Sequence, residues 1–306
     1  MVETRVAGIE LGGTKCIASL ASADGTILAQ HTLPTLSPAE TLPPLAVLLE
    51  QWRRDLPFAA IGVGSFGPVE LDPAAPNHGH ITSTSKPGWR DTDVLGALRG
   101  GHDEPWGFDT DVNAAALAEG RWGAAQGLTD YAYVTVGTGV GVGLIVNGRP
   151  TRGLAHCELG HIRVARLTGD DWAGACPYHG DCVEGLASGP AIKARLGERP
   201  IHGIPADDPV WQAVAHPLAQ MCHAMLLTTA PRRILFGGGV IQGQPQLIGL
   251  IHAGLRESVA GYMAVPEAED YCCAPGLGDK AGPLGPVALA LDALEAAAET
   301  GTRAAA

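Results

Sequence analysis

The sequence predicts an α/β protein built twice over, each copy a mixed sheet of hairpin strands followed by a helix, with a cleft between two lobes. Three observations predict it. Paired strand-like apolar runs recur, first from about Val6 and again from about Tyr131. Glycine clusters stand at the strand ends in both copies. The 306 residues, 46% apolar and 17% charged, exceed one small core and suit two globular domains. The smaller lobe is assigned residues 1–110 with a C-terminal helix at about 286–306, and the larger lobe residues 111–285.

The elements follow in chain order. "RVAGIELGG" (Arg5 to Gly13) reads as a buried strand entering a glycine turn, and Asp24-Gly25 between apolar runs marks a hairpin. Ser37 stands as a cap before the amphipathic run "PAETLPPLAVLLEQWRRD". "AAIGVGSFGPVE" is strand then glycine turn, and "PWGFDTDVNAAALAEGRWGAA" is strand, turn, helix. "YAYVTVGTGVGVGLIVNGRP" gives two strands around a glycine turn, with Asn147-Gly148 opening another hairpin. Beyond a Cys/His-rich stretch, "DPVWQAVAHPLAQMCHAMLLTTA" is helical in pattern, "RRILFGGGVI" is strand then turn, and "PQLIGLIHAGLRES" is helical. The alanine-rich C-terminus closes the chain as a helix that frays at its end.

Composition removes whole classes of function. A net charge of -12 opposes general binding to nucleic acid or to an anionic membrane surface, although nucleotides can still be held by local backbone amides. No bilayer-length apolar run is present, and the first residues lack the pattern of a signal peptide. Seven clustered cysteines, an odd number, favour a reducing compartment with thiols free or on a metal; the cytoplasm is expected.

Glycine lets successive amides face one concavity, a nest suited to phosphate oxygens. Gly12, Gly13, Thr14 and Lys15 form one such turn, and Gly137, Thr138 and Gly139 the matching turn of the second copy. Gly237, Gly238 and Gly239 end a strand where a base or ribose can lie against bare backbone. Any one cluster alone reads as a tight turn, and neither Walker A nor G-x-G-x-x-G spacing is present. The recurrence of a G-T pair at matching places favours a nucleotide held by both copies. Asp109 and Asp111 stand where a strand gives way to a helix, and two readings stay open: a helix cap, or a carboxylate that accepts a hydroxyl proton during phosphoryl transfer. Glu10 follows an apolar strand, where a carboxylate can hold the water shell of Mg²⁺. The stretch His156 to Gly185, with three cysteines and three histidines, admits a metal clamp, a redox switch, a substrate pocket or a polar loop.

Taken in order, "GIELGGTK", "GVGSFGP", "DTDVN", "GTGVGVG", "ELGH", the Cys/His segment and "LFGGG" resemble the ROK family of sugar kinases, from Gly8 to about Gly285. The resemblance implies the actin-like/hexokinase-like (ribonuclease H-like) fold and transfer of the γ-phosphate of Mg²⁺-ATP to a hexose. It implies Asp111 as general base, and Asn113, Glu158, His161 and Glu184 as hexose contacts, with Gly64 and Ser65 in a loop touching the sugar. ATP phosphates are expected between the turns at Gly12 and Gly137, and adenosine against Gly237–Gly239. Members of the family are commonly dimers or tetramers, and a homodimer is expected.

Two departures bear on the subgroup. Glu10 replaces the usual Asp, and the zinc segment reads His161, Cys176, His179, Cys182 rather than one His and three Cys. These, with "HGHITSTSKPGW" and "CPYHGDCVEGLASGPA", resemble the bacterial fructokinase subgroup, which is also associated with mannose. Family repressors carry a helix-turn-helix ahead of the first glycine motif, which here begins at Gly8, so a DNA-binding regulator is not expected. Cys176-x-x-His179-x-x-Cys182, with Gly174, Pro177 and Gly180 shaping the loop and His161 closing it, fits a structural Zn²⁺ with four protein ligands. A Cys176–Cys182 disulfide and a Cys157 ligand are the rivals; His78 and His80 read as loop histidines, and Cys272 and Cys273 as thiols without a task. A sugar sensor without catalysis and an actin-type scaffold are the rival functions. The first would be free to lose Glu10 or Asp111, and the second has no use for Glu158, His161 and the zinc loop.

Overall fold

The computed structural model describes residues 4–304; positions 305–306 of the expected C-terminal helix lie outside them. The chain forms two compact units. Unit 1 takes the chain up to Gln126, the loop Arg152–His156 and the chain from Asp279; unit 2 takes Gly127–Thr151 and Cys157–Gly278.

In unit 1, β1 (Arg5–Leu11) and β2 (Lys15–Ser22) pair antiparallel, and β2 pairs β3 (Ile27–Pro34) the same way. The β2–β3 turn is set locally: the Asp24 carboxylate accepts from the Ser22 hydroxyl (2.6 Å) and the Thr26 N–H (2.9 Å), while Gly25 takes a φ of 86°. Helix α1 (Pro38–Asp55) starts at Ser37, whose N–H and hydroxyl both donate to Glu40 (3.3 and 2.5 Å). It buries Leu42, Leu45, Leu49 and Trp52. Strand β4 (Ile61–Ser65) lies parallel to β1. A short pair, β5 (His80–Ile81) and β6 (Thr92–Asp93), precedes α2 (Val94–Arg99). Strand β7 (Trp106–Thr110) then joins β4 in parallel and runs straight into α3 (Asp111–Trp122). The strand order is β3-β2-β1-β4-β7.

The helix Ala281–Ala304 covers this sheet through a row of glycines. Gly8, Gly62 and Gly107 stand side by side across β1, β4 and β7. A Cβ on Gly62 would overlap the Pro286 carbonyl, one on Gly107 the Leu289 carbonyl, and one on Gly8 would stand 2.8 Å from the Val287 nitrogen. The helix backbone therefore rests directly on the strand backbones. Helix α3 belongs to the same unit, which is why the division falls after Gln126 and not after Thr110.

Unit 2 repeats the plan. Strands β8 (Tyr131–Val136), β9 (Val140–Val146) and β10 (Arg149–Pro150) form an antiparallel meander. Asn147 and Gly148, at φ of 52° and 74°, make the tight turn that the Asn-Gly pair predicts. Helices α4 (Val183–Ala187), α5 (Gly189–Leu196) and α6 (Val210–Thr228) follow. Strand β11 (Ile234–Gly237) pairs parallel with β8; α7 (Gly239–Gly243), α8 (Gln246–Val259), α9 (Ala268–Tyr271) and β12 (Cys272–Cys273) complete the unit. The order β10-β9-β8-β11-β12 matches that of unit 1 strand for strand. Trp211, Val214, Leu218, Met221 and Met225 of α6 and Leu247, Ile251 and Leu255 of α8 fill the core beneath the sheet. Among the described residues no helix is long and apolar enough to cross a membrane.

Candidate active site and metal centre

Parallel pairing in unit 1 brings Glu10, Gly64 and Asp109 into one cross-strand line, with Leu11, Ser65 and Thr110 one step beyond. Gly64 and Ser65 are therefore the last residues of β4 and not part of a loop, because their backbone groups are taken by β1 and β7. Ser65 is buried and its hydroxyl donates to the Phe66 carbonyl (2.8 Å). Glu10 likewise lies within β1, opposite Ile17.

The cap of α3 is Thr110, whose hydroxyl accepts from the Asn113 N–H (3.1 Å). Asp111 is the first helical residue. One of its oxygens accepts from the Val112 N–H (2.8 Å), and burial pushes its carboxyl up to about 6. Asp109 does different work. Fully buried, it accepts from the Thr110 N–H (2.8 Å), the Asn113 side-chain amide (2.7 Å) and Arg152 (2.5 Å). This fixes the amide of Asn113 and leaves its Oδ1 buried without a partner. Arg152 has no motif around it in the sequence, and its tie to Asp109 appears only in the fold.

Glu10 is raised to about 7, by burial first and then by the charge of Asp111, with Lys15 opposing. Its Oε2 is buried and unpartnered, and Oε1 faces Gly282, where a Cβ would stand 2.5 Å away. An acceptor-only oxygen left orphaned in this way fits a cation or its water shell. Beside it, the turn Gly12–Lys15 has its carbonyls consumed. Gly12 O accepts from the Thr35 hydroxyl (2.7 Å), Gly13 O from Lys86 Nζ (2.6 Å), Thr14 O from the Thr35 N–H (2.9 Å) and Lys15 O from the Gly12 N–H (3.1 Å). The N–H groups of Gly13 and Thr14 take no backbone acceptor among the described residues. With its acceptors occupied, the turn has donors to offer an anion.

In unit 2 the other two glycine clusters come together. A Cβ on Gly137 would stand 4.0 Å from the Gly239 nitrogen, and Gly238, at φ 90°, has no room for a side chain against Val136 O and Thr135 Oγ1. Thr138 lies at the tip of the β8–β9 turn, closed by a Gly137 N–H to Gly139 O bond of 2.9 Å. Glu184, near the start of α4, accepts from the Val140 N–H (3.1 Å) and lies against Gly139.

His161, Cys176, His179 and Cys182 bring their ligand atoms within 4.8 Å of one another. Nδ1 of His161 is 3.7 Å from both sulfurs, and Nδ1 of His179 is 3.7 Å from Cys176 Sγ. A tetrahedral zinc with Zn–S about 2.3 Å and Zn–N about 2.1 Å has S···N edges of about 3.6 Å, so the donor set fits that ion in type and spacing. Cys176 and Gly180 close the loop by two backbone bonds (3.1 and 3.0 Å), and the Gly185 N–H donates to Cys182 Sγ (3.4 Å). Among the described residues no cysteine forms a disulfide, and Cys157 is outside the cluster. His161 ends a 3₁₀ turn (Leu159–His161) begun at the exposed Glu158, and its Nε2 faces Glu184 at 4.0 Å. His156 is buried, with Nε2 accepting from the Val69 N–H (3.0 Å).

Two copies of one sheet, glycine turns at their strand ends and a poised carboxylate at a helix start define an actin-like duplicated α/β fold. The ROK family model matches residues 6–293, and the chain belongs to that family. A fructokinase of Pediococcus pentosaceus is 40% identical over 287 residues, covering 94% of this chain and 98% of that one. A fructokinase of Zymomonas mobilis is 41% identical over 292 residues, covering 93% and 96%. The crystal structure of a ROK hexokinase from Thermus thermophilus superposes with a TM-score of 0.78 at 28% identity, covering 95% and 99%.

Proposed function

We propose that the chain is an ATP-dependent fructokinase that moves the γ-phosphoryl group of ATP to the primary hydroxyl of fructose, giving fructose 6-phosphate and ADP. The observation that carries this is the similarity, at 40–41% identity over nearly the full length of both chains, to proteins named fructokinase. In this reading Asp111 accepts the hydroxyl proton as the sugar oxygen bonds to phosphorus and the bond to the β-phosphate oxygen breaks. A carboxyl raised to about 6 suits the task, since it is ionised at neutral pH yet basic enough to take a proton. Asn113, Glu158, His161 and Glu184 contact hexose hydroxyls. The turn Gly12–Lys15 takes phosphates, Gly137–Gly139 supplies further donors, and Gly237–Gly239 receives the nucleoside.

Two ions belong to this reading. Glu10 would hold Mg²⁺ through its water shell, an ion that supplies charge neutralisation to the phosphates when bound. His161, Cys176, His179 and Cys182 would hold a structural Zn²⁺ that fixes the His161 ring, leaving Nε2 as an oriented donor. Assembly as a homodimer and a cytoplasmic setting complete the proposal.

The test is a coupled ADP-release assay with Mg²⁺-ATP on fructose, mannose, glucose and N-acetylglucosamine. Preferential turnover of fructose is expected. A preference for mannose or glucose would reassign the substrate, and no turnover of any sugar by folded, metal-replete protein would overturn the enzyme reading.

A further inference from the structure

The chain has four lysines, at positions 15, 86, 193 and 280. Two of them meet at the first glycine turn. Lys15 begins β2 at the turn's end, and Lys86 reaches it from the segment after β5, 73 residues from the carbonyl it binds. The Lys86 ammonium donates to Gly13 O (2.6 Å) and to Thr35 O (3.4 Å). Both acceptors are neutral, and among the described residues Lys86 forms no ion pair. Lys15 acts on the charge of Glu10, whereas Lys86 acts on the thiol of Cys16, with no carboxylate among its partners. An ammonium carries three N–H donors, and two carbonyls occupy two. Among the described residues Lys86 thus holds a positive charge committed to no carboxylate, with one donor left, beside the amides of Gly13 and Thr14, which take no backbone acceptor.

The segment around Lys86 is built to hold it there. Trp89, three residues on, is fully buried, and its indole N–H donates to Leu36 O (2.8 Å); the Lys86 N–H donates to the Thr84 hydroxyl (3.2 Å). Thr35, the second acceptor, is the residue that braces the turn through Gly12 and Thr14. One framework therefore fixes the turn and the ammonium together. In a chain of net charge -12, a local cation beside donor amides favours the binding of a nucleotide's phosphates.

We infer that Lys86 is a phosphate-binding residue of the first glycine turn, contacting the β/γ-phosphates of the nucleotide. The inference rests on the kinase reading above and adds a residue to it. A lysine suits this place because a compact point charge meets a phosphate oxygen without the planar fork of arginine.

The test uses the whole, metal-replete protein and titration calorimetry with the non-hydrolysable analogue AMPPNP, with AMP and with fructose. Lys86→Met keeps the methylene stem and removes only the charge and donors. Weakening of AMPPNP by about tenfold to a hundredfold is expected, the worth of one charge-assisted bond, with AMP and fructose within about twofold. Lys86→Arg should recover part of the loss, and Lys193→Ala, an equal change of charge on the exposed face of α5, should change nothing. AMPPNP bound as tightly by Lys86→Met as by the wild type overturns the assignment. Equal weakening of AMP and AMPPNP overturns it too, because Lys86 would then only brace the turn. Failure of the wild-type protein to bind AMPPNP would instead overturn the kinase reading itself.

Discussion

Asp111 and Asp109 stand two residues apart and take opposite parts. Asp109 spends its oxygens on three donors, including Arg152, and its charge is committed to structure. Asp111 spends one oxygen on one amide and keeps a raised carboxyl. Asp111→Asn should lower kcat by about a thousandfold or more while fructose affinity stays within a few-fold, as removal of a general base predicts. Steady-state kinetics beside direct sugar titration decides it; near-wild-type turnover would sink the assignment. The base acts only when ionised, so kcat/KM should fall as pH drops through about 6 and level off above it. An acid limb near 4 would mean that a different carboxylate titrates. The raised carboxyls of Asp111 and Glu10 and the gathering of His161, Cys176, His179 and Cys182 lie in stretches the sequence singles out, because each sits inside a compact motif. Arg152 was not legible, since it meets Asp109 across more than forty residues with no local pattern to mark it, and Lys86, although inside the stretch "HGHITSTSKPGW", meets the glycine turn 73 residues away.

Elements were legible where the turn between them is chemically local. Asp24-Gly25, Asn147-Gly148 and the Ser37–Glu40 cap each set their own geometry, and the strands and helices they bound stand where expected. Helices α4 and α5 escaped because they are short and follow the Cys/His loop, which carries no periodicity. The glycine row of Gly8, Gly62 and Gly107 escaped for another reason: its partner backbone arrives only at Pro286–Ala290. Gly62→Ala should destabilise unit 1 by about 2–3 kcal/mol, since strand and helix must part to admit a methyl group. Urea unfolding measures it, and a loss under about 0.5 kcal/mol would show that the helix yields freely. At the Cys/His loop, a zinc chelator should release one metal equivalent, lower the melting temperature and weaken sugar binding through His161 and Glu184. A chelated protein that melts and binds sugar as before would show that the four ligands hold no structural ion.

The duplication itself was legible, because both copies spell hairpin, glycine turn and helix in the same order, and both sheets have the same strand order. The boundary between units was not, because α3 and the loop Arg152–His156 join unit 1 through contacts rather than through any change in composition. Substrate choice can be read from the intact molecule without catalysis. A sugar present at a hundred times its dissociation constant stabilises the native state by about 2.7 kcal/mol. Thermal melting with equal concentrations of each hexose should therefore rank fructose first, and a larger shift with glucose would contradict the subgroup.

The route of the chain through unit 1 has a consequence for how the protein is made. The strands β1, β4 and β7 leave the ribosome early, yet the helix backbone that seats on their glycines is encoded from Ala281 onward. During vectorial synthesis the unit begun first is finished last, and unit 2 can mature while unit 1 still exposes a sheet face that α3 alone covers in part. Nascent chains stalled before Ala281 are thus the species for which a chaperone holding that face would matter most.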